Sequence, residues 1–201
     1  SSDLKNRKSS SDIYIMNADG SHAKAFTEDG KSSSAVWSKD GKSIFFTNYE
    51  KGTAQIFRMD LTTCETEQVT DYELGIGSPV ISPDERYIAF TAEVYPDLGA
   101  DAKANKARME KKEQGPVQAH IADKLLYRHW TSYSDGRCNH LILFDTQTKT
   151  YKDLTPGDYS LIFVVGGGIT YQFSPDSKEI CFVSNHDEHQ EASTNADLWT
   201  V

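Results

Sequence analysis

An all-β chain built from repeated four-stranded units is what this sequence predicts, and three observations carry that expectation. A turn recurs as Trp37-Ser38-Lys39-Asp40, Ile81-Ser82-Pro83-Asp84 and Phe173-Ser174-Pro175-Asp176. After each turn the apolar residues alternate: Ile44, Ile88 and Ile180 stand four residues past the Asp, and Phe46, Phe90 and Phe182 two further on. A period of two means strand. Two other pieces recur around it. One is a run ending in an acid or amide (Ile13 to Asn17, Ile56 to Asp60, Leu141 to Asp145, with Leu198 to Val201 as a shorter copy), and the other is the pair Phe26-Thr27, Val69-Thr70 or Leu154-Thr155.

In chain order the unit reads strand A, Ser-Pro-Asp turn, strand B, loop, strand C, hairpin, strand D. Four short antiparallel strands of this kind make one blade of a β-propeller. The turn chemistry agrees, since Pro83 and Pro175 preset φ at the first central position, Asp suits the second, and Gly41 supplies a left-handed residue in the first copy. Glu85 and Ser177 replace that glycine in the other copies, and keeping the left-handed geometry there costs about 1 kcal/mol each.

Spacing sets the dimensions. Trp37 to Ile81 is 44 residues, the length of a blade, whereas Ile81 to Phe173 is 92. Strand A to strand C takes 19 residues in the first copy, 60 in the second and 25 in the third, so the second carries 60 − 19 = 41 extra residues, placed at about 97–137. From strand C to the next strand A, 32 residues in the second copy against 24 and 25 elsewhere include Gly166-Gly167-Gly168. Two strands, then four, four and three, sum to 13, which is no multiple of four. Open strand edges are a liability in water. The chain is therefore expected to be a β-propeller fragment of about three four-stranded blades, with a helical insertion in one blade, cut from a larger ring.

Within the insertion, Ala100 to Glu113 is rich in Ala, Lys and Glu and lacks Gly and Pro, which predicts a helix ending before Gly115-Pro116. Seven Lys or Arg against four acids between Asp101 and Trp130 read as a solvated face. The segment Ile121 to Trp130 gathers Leu125, Leu126, Tyr127, His129 and Trp130, an apolar and aromatic cluster expected to anchor the excursion or line a cavity.

The net charge of −9, from 21 Lys and Arg against 30 Asp and Glu, argues against a nucleic-acid partner. No apolar run approaches the roughly 20 residues of a membrane helix. The 3 cysteines fall in unrelated settings, Cys64 in a hairpin turn, Cys138 in a loop and Cys181 inside a strand B, so no disulfide framework emerges and Cys181 reads as a small core hydrophobe. His186-Asp187-Glu188-His189 reads as a polar loop, not a metal site, for want of a helix to face both imidazoles one way. The glycine triplet precedes a strand, which removes the helix N-terminus that a phosphate cradle needs. No metal and no cofactor is implied.

Several segments are more specific: Ala92-Glu93-Val94-Tyr95-Pro96-Asp97, the Lys-rich helix, Tyr127-Arg128-His129-Trp130, Asn139-His140-Leu141, Asp153-Leu154-Thr155-Pro156-Gly157-Asp158-Tyr159 and Ser193-Thr194-Asn195-Ala196-Asp197-Leu198-Trp199. Together they resemble the prolyl oligopeptidase family of serine peptidases, and within it the dipeptidyl-peptidase 5 and acylaminoacyl-peptidase-like branch, over nearly the whole chain. The resemblance implies an N-terminal propeller of seven or eight blades capping an α/β-hydrolase domain, with peptide substrate held between them. It also implies a periplasmic or secreted location. The Gly-X-Ser-X-Gly elbow that would carry the nucleophile is absent from this sequence, so no catalytic residue is assigned and the chain alone is expected to be inert.

A peptidase that removes dipeptides must recognise a free ammonium. Glu93, directly after strand B, is the acid placed to do so, with Tyr95, Arg128 and Trp130 shaping the pocket and Gly167 in a loop that, by the resemblance, can face the cavity. A purely structural alternative has Glu93 and Arg128 tying the insertion to its blade. The expected partners are a peptide substrate bound through the parent enzyme, the missing hydrolase domain and the missing blades. Exposed cut edges also predict association into a homo-oligomer. The competing class is a TolB-like interaction propeller with no chemistry in its parent, against which the 41-residue insertion argues.

Overall fold

The computed structural model describes residues 2–3, 8–49, 52–116, 119, 125, 127–129, 132–161 and 170–201. Its contacts divide into two compact units, Ser1–Ile76 and Gly77–Val201.

In the first unit a short ladder joins β1 (Ser2–Asp3) to β2 (Lys8–Ser9), and β3 (Tyr14–Ile15) pairs with β4 (Lys24–Ala25). A complete four-stranded antiparallel sheet follows in the order β5 (Ser32–Trp37), β6 (Ser43–Asn48), β7 (Gln55–Asp60), β8 (Thr66–Gln68). In the second unit β9 (Gly77–Ile81), β10 (Tyr87–Val94), then β13 (Cys138–Asp145) and β14 (Thr150–Asp153) form the second complete sheet. Between β10 and β13 lie helix α1 (Ala102–Glu113) and the hairpin of β11 (Arg128–His129) with β12 (Ser132–Tyr133). A sheet of β15 (Tyr171–Phe173), β16 (Ile180–Ser184) and β17 (Asp197–Thr200) ends the described chain. Among the described residues the four sheets that carry the repeat hold 2, 4, 4 and 3 strands, the 13 expected, and the β1–β2 and β11–β12 pairs lie outside that count.

Each recurring motif has a physical job. In the three turns the serine hydroxyl donates to the Asp carboxylate two residues on, Ser38 to Asp40 at 2.7 Å, Ser82 to Asp84 at 2.6 Å and Ser174 to Asp176 at 2.7 Å. The same hydroxyl accepts an amide where the returning strand begins, from Ser43 at 2.9 Å, Tyr87 at 2.9 Å and, one residue before β16, Glu179 at 3.0 Å. Gly41, Glu85 and Ser177 take φ of 68°, 62° and 64°, so the latter two do hold the left-handed conformation. The hydrophobic-Thr pairs are clamps as well: Thr27, Thr70 and Thr155 are buried, and each Oγ1 accepts the amide at the start of strand C, from Ile13 at 3.0 Å, Ile56 at 2.9 Å and Leu141 at 2.9 Å. A buried amide left unpaired there would cost about 1–3 kcal/mol, which explains a threonine at that place.

Apolar alternation then fills the sheets. Ile44, Phe46 and Ile56 are buried in the first unit, with the Phe46 and Phe57 rings stacked at 5.9 Å. Ile88, Phe90, Leu141, Ile142 and Phe144 are buried in the second. Val80, Ala89, Leu141, Tyr171, Phe173, Ile180 and Phe182 form a core cluster there, in which residues of β9, β10 and β13 meet residues of β15 and β16.

Three expectations need correction. Cys181 is exposed, because the alternation that buries Ile180 and Phe182 turns the residue between them outward. Cys138 opens β13, which starts three residues earlier than expected because Ala92, Glu93 and Val94 extend the ladder to His140, Asn139 and Cys138. Leu125 is 71% exposed and Tyr127 stacks on Tyr133 at 6.4 Å on the surface, so these two members of the expected anchor are not core. Leu126 and Trp130 lie outside the described residues.

Candidate functional site

The ends of β10 and β13 gather the polar groups that the sequence singled out. Glu93, opposite Asn139 in the register, has an exposed carboxylate that meets the Arg137 guanidinium at 3.1 Å. Arg137 also donates to Asp135 through Nε at 2.9 Å. Burial works against the Arg137 charge, but the Asp135 and Glu93 carboxylates outweigh it and its pKa rises. The Arg137 guanidinium is thus shared by the Glu93 and Asp135 carboxylates.

Tyr95 follows β10 and is buried at 6% exposure, and its hydroxyl has no hydrogen-bond partner among the described residues. Burial first, and the Asp135 charge second, push its pKa up. Arg108 lies over the Tyr95 ring at 4.7 Å while holding Asp97 with two hydrogen bonds of 2.7 Å.

Helix α1 is fixed to this corner by a buried side chain. Asn105 Oδ1 accepts the Tyr95 amide at 2.6 Å, and its Nδ2 donates to the carbonyls of Gly99 at 3.0 Å and Asp101 at 2.8 Å. Asp101 caps the helix by accepting from the Ala104 amide at 3.0 Å. Lys112 reaches from the last turn to the Asp135 carbonyl at 2.8 Å. Polar ties, not an apolar face, therefore hold the insertion's helix.

Of the five residues read as substrate-facing, Glu93 and Tyr95 come together around Arg137. Arg128 lies in the β11–β12 hairpin, over the Tyr133 ring at 5.9 Å. Trp130 and Gly167 lie outside the described residues. The cation paired with Glu93 is thus Arg137, which no motif marked. Only the β10–β13 register brings it there.

Beside Asn139 runs a second polar group. Its amide donates to Ser160 Oγ at 3.0 Å, its carbonyl accepts from Leu161 at 2.8 Å, and the neighbouring His140 is buried against Asp153 and the Gly157 carbonyl. Tyr159 packs against His186 in a tilted contact at 4.1 Å, and His186 stacks on Trp199 at 4.1 Å. That stack explains His186 as an aromatic contact, and among the described residues no group of three or more His, Cys, Asp or Glu could hold a metal ion. A groove of about 680 Å³ lined by Leu143, Leu154, Phe173 and Ile180 lies elsewhere in the second unit and includes none of the five candidate residues.

Repeated antiparallel four-stranded sheets, each with a Ser-X-Asp turn between its first two strands, define a β-propeller protein. The chain belongs to the family described as PD40, TolB beta propeller domain, whose profile matches residues 4–114. It is 28% identical over 204 aligned positions to dipeptidyl-peptidase 5 of Porphyromonas gingivalis, a match that covers 98% of this chain and 29% of that protein. Among solved structures it resembles the acylaminoacyl peptidase of Pyrococcus horikoshii (TM-score 0.60, 20% identity, 93% of this chain and 25% of that one). TolB from Acinetobacter baumannii is similar in fold too, with TM-score 0.55, 19% identity, and coverage of 93% of this chain and 34% of that one. The two structural likenesses speak for the fold. No helix among the described residues is long and apolar enough to cross a membrane.

Proposed function

We propose that this chain is the non-catalytic propeller portion of a serine exopeptidase, of dipeptidyl or acylaminoacyl type, which gates and orients peptide substrates for a separate α/β-hydrolase domain. The observation that carries the reading is the likeness to dipeptidyl-peptidase 5, which runs through the insertion and over 98% of the chain. The missing Gly-X-Ser-X-Gly elbow fits a division of labour in which the propeller admits and another domain cuts. A location in the periplasm or outside the cell belongs to the same reading, as do the absence of a nucleic-acid partner and contacts with further blades.

In this proposal Glu93 receives the substrate's free ammonium. Its carboxylate is 64% exposed, so a substrate ammonium can reach it from solvent and form a charge-assisted hydrogen bond. Tyr95, Arg128, Trp130 and Gly167 complete the substrate-facing surface. A TolB-like interaction propeller is the second reading, favoured by the family profile itself.

Kinetics of the intact protein distinguish the two. With fluorogenic dipeptides bearing a free amine, Glu93→Gln should raise KM by roughly 10-fold, the worth of one charge-assisted hydrogen bond, and leave N-acetylated substrates unaffected. Unchanged constants on both substrates remove Glu93 from the site. Absence of any peptidase activity in the intact protein favours the interaction propeller.

A further inference from the structure

One repeat position differs in chemistry among the first three copies of strand C. Immediately before the strand C core stand Asp12, Gln55 and His140, and each fastens the segment that leaves its sheet. Asp12 accepts from the Gly30 amide at 2.9 Å. Gln55 accepts from the Tyr72 amide at 3.0 Å and donates to the Tyr72 carbonyl at 2.7 Å. His140, wholly buried, has Nδ1 2.7 Å from Asp153 Oδ2 and Nε2 3.0 Å from the Gly157 carbonyl.

Those two partners dictate the ring's protons. A carbonyl oxygen only accepts, so Nε2 must carry hydrogen, and an ionised carboxylate only accepts, so Nδ1 must carry one too. A ring that donates from both nitrogens is an imidazolium. A neutral ring can keep both contacts only if Asp153 itself takes up the proton.

We infer that His140 is a protonation-dependent positioning residue: as an imidazolium it fastens the turn from Gly157 to Ser160 beside the Glu93 end of the sheet, and losing the Nε2 proton, while the Asp153 carboxylate keeps the one on Nδ1, releases that turn. The released segment matters because Ser160 bonds the Asn139 amide, Asn139 lies opposite Glu93, and Tyr159 packs against His186, which stacks on Trp199. The groups facing the ring are known. They are Asp153 on β14, Cys138 on the ring's own strand, and Tyr159 with its centroid at 6.5 Å, while Asp158 lies 3.8 Å from the Cys138 thiol. Burial opposes the charge, yet the Asp153 carboxylate, Cys138 and the Gly157 carbonyl outweigh it and raise the pKa from 6.5 to about 9.

The sign follows from linkage. A folded-state pKa above the unfolded one means that the clamp's contribution is fully present below 6.5 and is lost as pH rises through about 9. The inference is independent of the peptidase reading.

The test is a pH titration of the 201-residue chain labelled with ¹⁵N in its histidines and backbone. His140 should show both ring protons at about pH 7.5 and a midpoint near 9, with the amides of residues 157–160 shifting along the same curve. His140→Gln, which copies the side chain already used at position 55, should fold and leave those amides flat over that range. A ring at about pH 7.5 with hydrogen on only one nitrogen, or turn amides that ignore the titration, overturns the inference. Should the variant fail to fold, the wild-type titration decides by itself.

Discussion

The two complete sheets, β5 to β8 in one unit and β9, β10, β13 and β14 in the other, share a frame but differ by 41 residues in the span from the Ser-X-Asp turn to the strand C core. Their Ser-X-Asp turns and threonine clamps superpose in chemistry, bond for bond. The insertion leaves these devices alone. It lengthens its two parent strands from 6 to 8 residues and departs from their far end, where Glu93 and Val94 pair with Asn139 and Cys138. The lesson is that a blade's identity resides in one end and its core, while the other end is free to carry an excursion.

Substitutions can break that comparison in order of size. Phe90→Ala, in the core of the inserted blade, should cost about 3–5 kcal/mol in urea unfolding, whereas Leu125→Ala in the excursion should stay within about 0.5 kcal/mol. Equal losses would mean that the excursion is part of the core. Asn105→Ala comes next at about 1–3 kcal/mol, since it leaves the Tyr95 amide without its acceptor. Hydrogen exchange should then speed up in α1 and leave β5 to β8 unchanged, and a uniform rise in exchange would show that the helix is coupled to the whole fold. The smallest effect lies in the turns. Glu85→Gly should stabilise by about 0.5 kcal/mol by relieving a left-handed residue, as Gly41 already does in the first copy. Ser177→Gly should gain nothing, because the Ser177 hydroxyl accepts the Asp84 amide at 3.1 Å. An equal gain at both positions would make that hydrogen bond irrelevant.

Local chemistry decided what was legible in the sequence. Ile44, Ile88 and Ile180 with their phenylalanines fixed the strands because period two survives in any sheet with a buried face, and the strand total of 13 followed. The same alternation, applied strictly, places Cys181 outside, and reading that thiol by residue type instead of by position misplaced it. Leu125 and Tyr127 look like an anchor by composition, yet Asn105, Arg137 and Lys112 make the ties in the described insertion. Polar ties carry no period, so nothing along the chain points from Arg137 to Glu93. His140 is half legible: the triplet Asn139-His140-Leu141 marks it, but only alignment with Asp12 and Gln55 reveals a clamp.

Reading the coding frame beyond Val201 tests the central functional claim most directly. The account predicts further blades and then a Gly-X-Ser-X-Gly elbow followed by an Asp and a His, the parts of a serine peptidase that this chain lacks. A frame that closes after the remaining blades, with no such elbow, would contradict it and leave a binding propeller.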